Sequence, residues 1–113
     1  MTIQYKNQGY NLTTTNLTTV LTIDTSSRAL IKDASVTNEH TANIIVEAYI
    51  HDSSASTDYE FFHNDQAKDT TQNMVNNVLV LEEGDSIKIQ ATTAGVAKGV
   101  ISYALINRSQ ENG

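Results

Sequence analysis

Along most of this chain apolar and polar residues alternate in short runs, the two-residue period that sends successive side chains to opposite faces of a β-strand. Residues 17–23 predict a first strand, with Leu17, Thr19, Leu21 and Ile23 on one face and Thr18, Val20 and Thr22 on the other. Residues 24–28 read as a turn. Residues 29–38 predict a second strand in which Ile31 is out of phase with Ala34 and Val36, so a bulge is expected near Lys32-Asp33. After a turn at 38–41, residues 42–52 carry the strongest alternation. There Ile44, Val46, Ala48 and Ile50 face the core, and Ile45, Glu47, Tyr49 and His51 occupy a second face that is not fully solvated.

A loop at 52–57 leads to a short aromatic strand at 58–62, and the polar, acidic stretch 63–73 predicts a long loop or a weak strand. Asn76-Asn77 marks a turn between Met74-Val75 and the run 78–81, and 82–85 is another turn. Residues 86–92 place Ile87, Ile89 and Ala91 inside and Lys88 and Gln90 outside. Ala94-Gly95 turns into a last strand, 96–107, with Ile101, Tyr103 and Leu105 on one face and Val100, Ala104 and Ile106 on the other. No stretch keeps a helical i, i+3, i+4, i+7 pattern. The expected fold is all-β: an antiparallel β-sandwich, jelly-roll or immunoglobulin-like, of about eight strands. Its expected organisation is an N-terminal arm at 1–15, the sandwich at 16–107 and a polar tail at 108–113. Asn11-Leu-Thr-Thr-Thr-Asn-Leu-Thr-Thr19, which runs from the arm into the first strand, nearly repeats itself. It is too short for a repeat architecture and reads as extended structure.

Composition sharpens this picture. Thr, Ser and Asn make up about a third of the 113 residues, and charged residues only 18%. A disordered polar tract and an all-β domain both fit that bias; short alternating apolar runs favour the sheet, whose solvated faces suit Thr. With no Cys there is neither a disulfide framework nor a thiolate metal site. With no Pro, turns rest on Gly, Asn, Asp and Ser, and edge strands lack one of their usual protections. The net charge of −6 opposes binding to nucleic acid, since phosphate contacts need Lys and Arg. The first residues hold no apolar signal-peptide core, and no apolar run approaches the ~20 residues of a membrane span. Neither nucleic acid nor membrane is expected as a partner.

Candidate chemistry is sparse. His51, Asp52, Asp58, Glu60, His63 and Asp65 flank one loop region and offer metal-ligand atom types, but strand spacing does not make them converge, and they read as solvated polar residues. No calcium-loop pattern, Gly-x-Ser-x-Gly elbow or phosphate loop is present. The paired carboxylates in 82–85 read as a turn. Sugar stacking through Tyr49, Tyr59, Phe61 or Phe62 is weighed against core or interface roles, and the absence of Trp disfavours it. No catalytic, metal or cofactor-binding residue is assigned, and no enzyme activity is expected.

Several segments resemble a family of small structural proteins of tailed bacteriophages. They are Thr25-Ser-Ser-Arg-Ala-Leu-Ile-Lys32, Val36-Thr-Asn38, Tyr49-Ile-His-Asp-Ser-Ser-Ala-Ser-Thr-Asp-Tyr59, Leu79-Val-Leu-Glu-Glu-Gly-Asp-Ser-Ile-Lys-Ile-Gln-Ala91 and Val100-Ile-Ser-Tyr103. The resemblance covers roughly three quarters of the chain, through turn and core residues that specify fold better than function. Where such relatives carry Pro, after the first strand and in the middle segment, this chain has Asp24 and an Asn-rich stretch. The resemblance implies a virion role: capsid decoration or cement on the outer surface of a particle assembled in the host cytoplasm, with neck, tail or fibre attachment as the alternative. A carbohydrate-binding module or adhesin tip is a third class. The implied partners are further copies of the chain, a trimer among the arrangements allowed, and the major capsid protein or other virion proteins. Interface candidates are Ile3, Tyr5 and Tyr10 on the arm and Ile45, Tyr49 and Tyr103 on strand faces taken as outward.

Overall fold

Nine strands and no helix make up the computed structural model, which describes residues 2–107. They are β1 (Thr2–Leu12), β2 (Thr18–Thr22), β3 (Ser27–Asn38), β4 (Ile44–Asp52), β5 (Thr57–Gln66), β6 (Thr70–Asn73), β7 (Leu79–Leu81), β8 (Ser86–Ala91) and β9 (Ala97–Asn107). The predicted tail, 108–113, lies outside the described residues.

Pairing is nested. β4 pairs with β5, β3 with β6 and then β7, β2 with β8, and β1 with β9, all antiparallel. The chain is thus one long ribbon doubled back at the β4–β5 hairpin. Rolling the ribbon adds β3–β9 and β4–β8 pairs and closes two facing sheets, ordered β1-β9-β3-β6/β7 and β2-β8-β4-β5. We call these sheet A and sheet B. This order is the jelly roll. An immunoglobulin sandwich places its first two strands side by side in one sheet, whereas here β1 and β2 lie in different sheets. The count of about eight strands holds with β6 and β7 sharing one position along the edge of β3.

The alternation seen in the sequence becomes the core. Ile44, Val46, Ala48, Ile87, Ile89 and Ala91 from sheet B meet Ala29, Ile31, Ala34, Val36, Leu81 and Ile101 from sheet A, all essentially without exposure. Each large aliphatic side chain so buried contributes about 1.5–3 kcal/mol relative to remaining in water. Register shifts between Ile31 and Asp33, where the bulge was expected. Asn73 seals the irregularity: its Oδ1 accepts hydrogen bonds from the Ala34 and Val75 amides at 3.1 Å each.

Three readings are corrected. Residues 2–12, assigned to an arm, form β1 and pair with β9 of the same chain over their whole length. They show no alternation because most of β1 is exposed on both faces, so no selection for an inward apolar set is visible. Residues 63–73 are neither loop nor weak strand; β5 runs on to Gln66 and a tight connection leads into β6. The polar buried residues that hold this crossing carry no hydrophobic signal. Finally, Tyr103 is 8% exposed, because its odd-numbered neighbour Ile101 fixes that face of β9 toward the core.

Two polar latches fix the ribbon's folds. The fully buried Asn38 donates from Nδ2 to the carbonyls of Ala42, Gln66 and Ala67 at 3.1–3.2 Å, while its Oδ1 accepts from the His40 amide at 2.8 Å. Gln66, also buried, donates to the Val36 and Thr70 carbonyls. Together they tie the β3–β4 turn to the β5–β6 crossing. At the other end Asp85 accepts from the Ser53 and Glu82 amides, joining the β4–β5 and β7–β8 connections.

Candidate assembly interface

Cross-strand partners share a face of a sheet, so the register defines what sheet A presents outward. Tyr5 pairs with Ala104, Ala104 with Leu30, and Leu30 with Val80. These four residues make an apolar row across β1, β9, β3 and β7 on the side away from the core. Tyr5 is 81% and Val80 53% exposed. One step along, Ile3 pairs with Ile106, which pairs with Arg28. Ile3, at 48% exposure, extends the row, and Arg28 closes it with an ion pair to Glu83 at 2.7 Å. A groove of about 270 Å³ lies beside Tyr5, lined also by Lys6, Asn7, Lys32, Ser102 and Tyr103. Ala104 is covered and Leu30 half-buried between the exposed Tyr5 and Val80, and exposed apolar side chains grouped on one face are candidate interaction sites in soluble proteins.

Of the six interface candidates, Ile3 and Tyr5 fall in this row. Tyr10 does not: its ring is largely buried, its hydroxyl donates to the Ser35 carbonyl at 2.7 Å, and burial pushes its ionisation well up. Tyr103 only borders the groove from the core side. Ile45 and Tyr49 sit on the outer face of sheet B instead. Leu30, Val80 and Ile106 were missed by sequence reasoning. A signal existed for Val80 and Leu30, since each is flanked at i±1 by residues with the buried phase, but choosing the outward partner set required the register.

Apart from Ile45, the outer face of sheet B is mostly polar. A bulge in β5 opposite Ala48/Tyr49 leaves Phe61 without a partner residue. It brings Glu60 and His63, three apart, to the same face as Glu47 and Tyr49, where a regular strand would separate them. The Tyr49 hydroxyl donates to Glu47 Oε2 at 2.6 Å, and Gln90 donates to the same oxygen at 2.8 Å. His63 Nδ1 stands 3.4 Å from Glu60 and 3.7 Å from Glu47. The Tyr49 hydroxyl, then Gln90, holds the Glu47 carboxyl below the usual range, and the bond to Glu47 pushes the Tyr49 hydroxyl up. Glu47, Glu60 and His63 could each offer one ligand atom to a cation, these atoms lying within 4.8 Å of one another. Their oxygens already serve Tyr49, Gln90 and His63, so the trio closes on itself as a hydrogen-bonded network. The remaining sequence candidates separate from it. His51 Nδ1 lies 2.6 Å from Asp58, with Lys88 3.4 Å away on the same carboxylate. Asp52 accepts from Ser54 and Ala55 within its own turn.

These bonds add to stability toward acid. Asp24, Asp52 and Asp58 are held below the ordinary carboxylate range, chiefly by hydrogen bonds from Ser26, Ser54 and His51 respectively, as Glu47 is by Tyr49. A depressed folded-state pKa gives stability that is complete above the unfolded value and lost as pH falls through the folded one. The thermal midpoint is therefore expected to stay level from pH 7 to 5 and to drop below about pH 4. Circular-dichroism melts across that range check this; a decline beginning near pH 6 would assign the effect to histidines instead.

The chain matches no protein-family model and no curated protein sequence. Solved structures share its fold. The capsid of Helicobacter pylori bacteriophage KHP30 superposes with a TM-score of 0.57 at 12% identity, over 96% of this chain and 90% of that one. The Drosophila NLP-core, a structure bearing on pentamer formation and histone binding, gives 0.58 at 11% identity, over 91% and 98%. A protein of the infectious bursal disease virus particle gives 0.58 at 9% identity over 93% of this chain, which spans only 31% of that protein. At these identities the likeness is one of fold: the jelly roll of this chain is shared by viral capsid proteins and by at least one cellular protein.

Proposed function

We propose that this chain is a non-enzymatic structural protein of a bacteriophage particle, decorating or cementing the capsid. The observation that carries the reading is the apolar row on the outer face of sheet A, Tyr5–Ala104–Leu30–Val80 with Ile3 beside it. It is broad and shallow, which suits a flat protein surface better than a small substrate. The phage-capsid likeness of the fold supports the same reading. In this reading, sheet A lies against the capsid shell or a neighbouring copy, and the charged outer face of sheet B points to solvent. Single contacts can be weak, because repetition over a shell supplies avidity.

Tyr5→Asp with Val80→Asp tests it. Both side chains project outward, so folding is expected to change by no more than about 0.5 kcal/mol for each. Co-sedimentation with particles stripped of this protein should fall at least about tenfold, since two charges would be desolvated at the contact. Glu60→Gln, on the opposite face, should bind normally. Equal binding by the double variant would overturn the assignment of sheet A. Copy number separates the virion roles: on a stained gel of purified particles, decoration requires copies comparable to the capsid protein, while a handful of copies would place the chain at the neck or tail.

A further inference from the structure

We propose that β1 is an exchangeable strand, and that in assemblies it leaves its own β9 to pair with β9 of a second copy of this chain. The first ground is how little β1 gives to its own subunit. From Ile3 to Gly9 every residue is exposed; Leu12 is its only fully buried side chain and Tyr10 its only other inward anchor. Eleven residues are thus held mainly by one ladder to β9, and ordering each backbone residue costs about 1–2 kcal/mol. A strand held this way opens locally well before the domain unfolds.

The second ground is the connection to β2. Residues 13–17 (Thr-Thr-Thr-Asn-Leu) are all exposed and bridge the two sheets as bends. Local bonds hold the bends: the Asn16 amide donates to Thr14 Oγ1, and the Thr18 hydroxyl donates to the Asn16 carbonyl. This sharp connection contains neither Gly nor Pro, and three of its five residues are Thr, which favours extended backbone. Short hinge connections of this kind are where strands exchange between copies. Straightening residues 13–17 would merge β1 and β2 into one extended segment.

The occupant follows from the register. All eleven residues of β1 have partners on β9 with no shift. A β9 from an identical chain therefore reproduces every bond and the Leu12 and Tyr10 sockets, so exchange costs no contacts and links the copies. The inference concerns copies of this chain and stands whether or not they sit on a virion.

The absence of cysteine makes a clean test available. Asn7 and Ser102 are direct partners across β1 and β9 on the outer face, and such pairs lie within disulfide reach. With Asn7→Cys and Ser102→Cys in one chain, the protein is concentrated, its oligomer isolated by size exclusion, oxidised, and run on a denaturing gel without reductant. Exchange predicts interchain bridges that collapse on reduction, a covalent dimer where two chains exchange reciprocally and a longer ladder where exchange is open-ended; each single variant, whose cysteine faces Ser102 or Asn7, should run mainly as a monomer. A product that runs only as an internally bridged monomer, or a protein monomeric at every concentration, overturns the proposal. In the cysteine-free chain, Thr14→Gly with Thr15→Gly should raise the concentration for half-assembly roughly five- to tenfold, because Gly relaxes the closed hinge and loosens the extended one. An unchanged value would also overturn it.

Discussion

Gly99→Ala is expected to remove a large part of the stability of this domain, about 3–4 kcal/mol of the roughly 5–15 typical for single domains. Gly99 lies in β9, opposite Tyr10 of β1, and a Cβ built there falls 1.9 Å from the Ser35 carbonyl oxygen, 2.8 Å from its carbon and 2.6 Å from the Tyr10 hydroxyl. The phenol could swing aside, but the Ser35 carbonyl is backbone of β3. β9 is hydrogen-bonded on both edges, to β1 and to β3, so any shift that relieves the clash opens a ladder on one side. The Tyr10 bond to Ser35, which lies across this glycine, would be lost with it, at about 1 kcal/mol. Gly9 is the control. It lies in β1, opposite Val100 of β9, yet a Cβ there meets only the Gly99 oxygen at 3.9 Å, and Gly9→Ala should leave the urea midpoint unchanged or slightly higher. Equal midpoints for the two variants would show that β3 and β9 separate more easily than their packing suggests.

The same pairing explains what could be read from the sequence. β3, β4, β8 and β9 each have one face buried and one open, so alternation reports them, and the bulge near Lys32-Asp33 shows as a break in phase. β1 was illegible because Ile3 and Tyr5 stand on a strand with no inward apolar set along most of its length. The end of β5 was illegible for the opposite reason: Gln66 is completely buried but polar, its place fixed by carbonyls of β3 and β6 rather than by hydrophobicity. The interface was half legible. Tyr5 and Ile3 stand out as apolar residues in a polar stretch, whereas Leu30 and Val80 are indistinguishable from core residues until the register puts them in one row. Tyr103 shows the converse. An aromatic on a strand face taken as outward suggests an interface, whereas the phase shared with Ile101 gives it a core role.

The two outer faces divide the labour of the sandwich. Sheet B spends its outward positions on Glu47, Tyr49, His51, Asp58 and Lys88, whose mutual bonds satisfy them without a partner. Sheet A presents Tyr5, Leu30 and Val80, whose apolar surface gains by being covered. That contrast, with Ile45 the exposed apolar exception on sheet B, is what supports the assembly role proposed for sheet A.

Asn38→Asp should be the second severe change, and a pH-dependent one. The substitution keeps the shape and replaces one amide nitrogen by oxygen. At pH 7 a carboxylate oxygen would face the three carbonyls of Ala42, Gln66 and Ala67 in place of a donor, at a position with no exposure. An uncompensated buried charge of this kind costs about 3 kcal/mol or more. Burial and the carbonyl dipoles raise the folded-state pKa of such an acid above its unfolded value of about 3.9. The sign follows: below pH 4 the acid is protonated in both states and can donate to one of the carbonyls, so the deficit relative to the native chain is smallest there. Above pH 4 the unfolded chain ionises first, and the deficit grows by up to about 1.4 kcal/mol per pH unit until the folded pKa is passed. Asn38→Ala removes the same donor without adding charge, and its deficit should be the same at every pH. Urea titrations of the three proteins at pH 4, 5.5 and 7 compare them directly. Parallel deficits for the two variants would mean that the buried turn opens to water when Asn38 is changed, and that the latch between the β3–β4 turn and the β5–β6 crossing is weaker than its four hydrogen bonds imply.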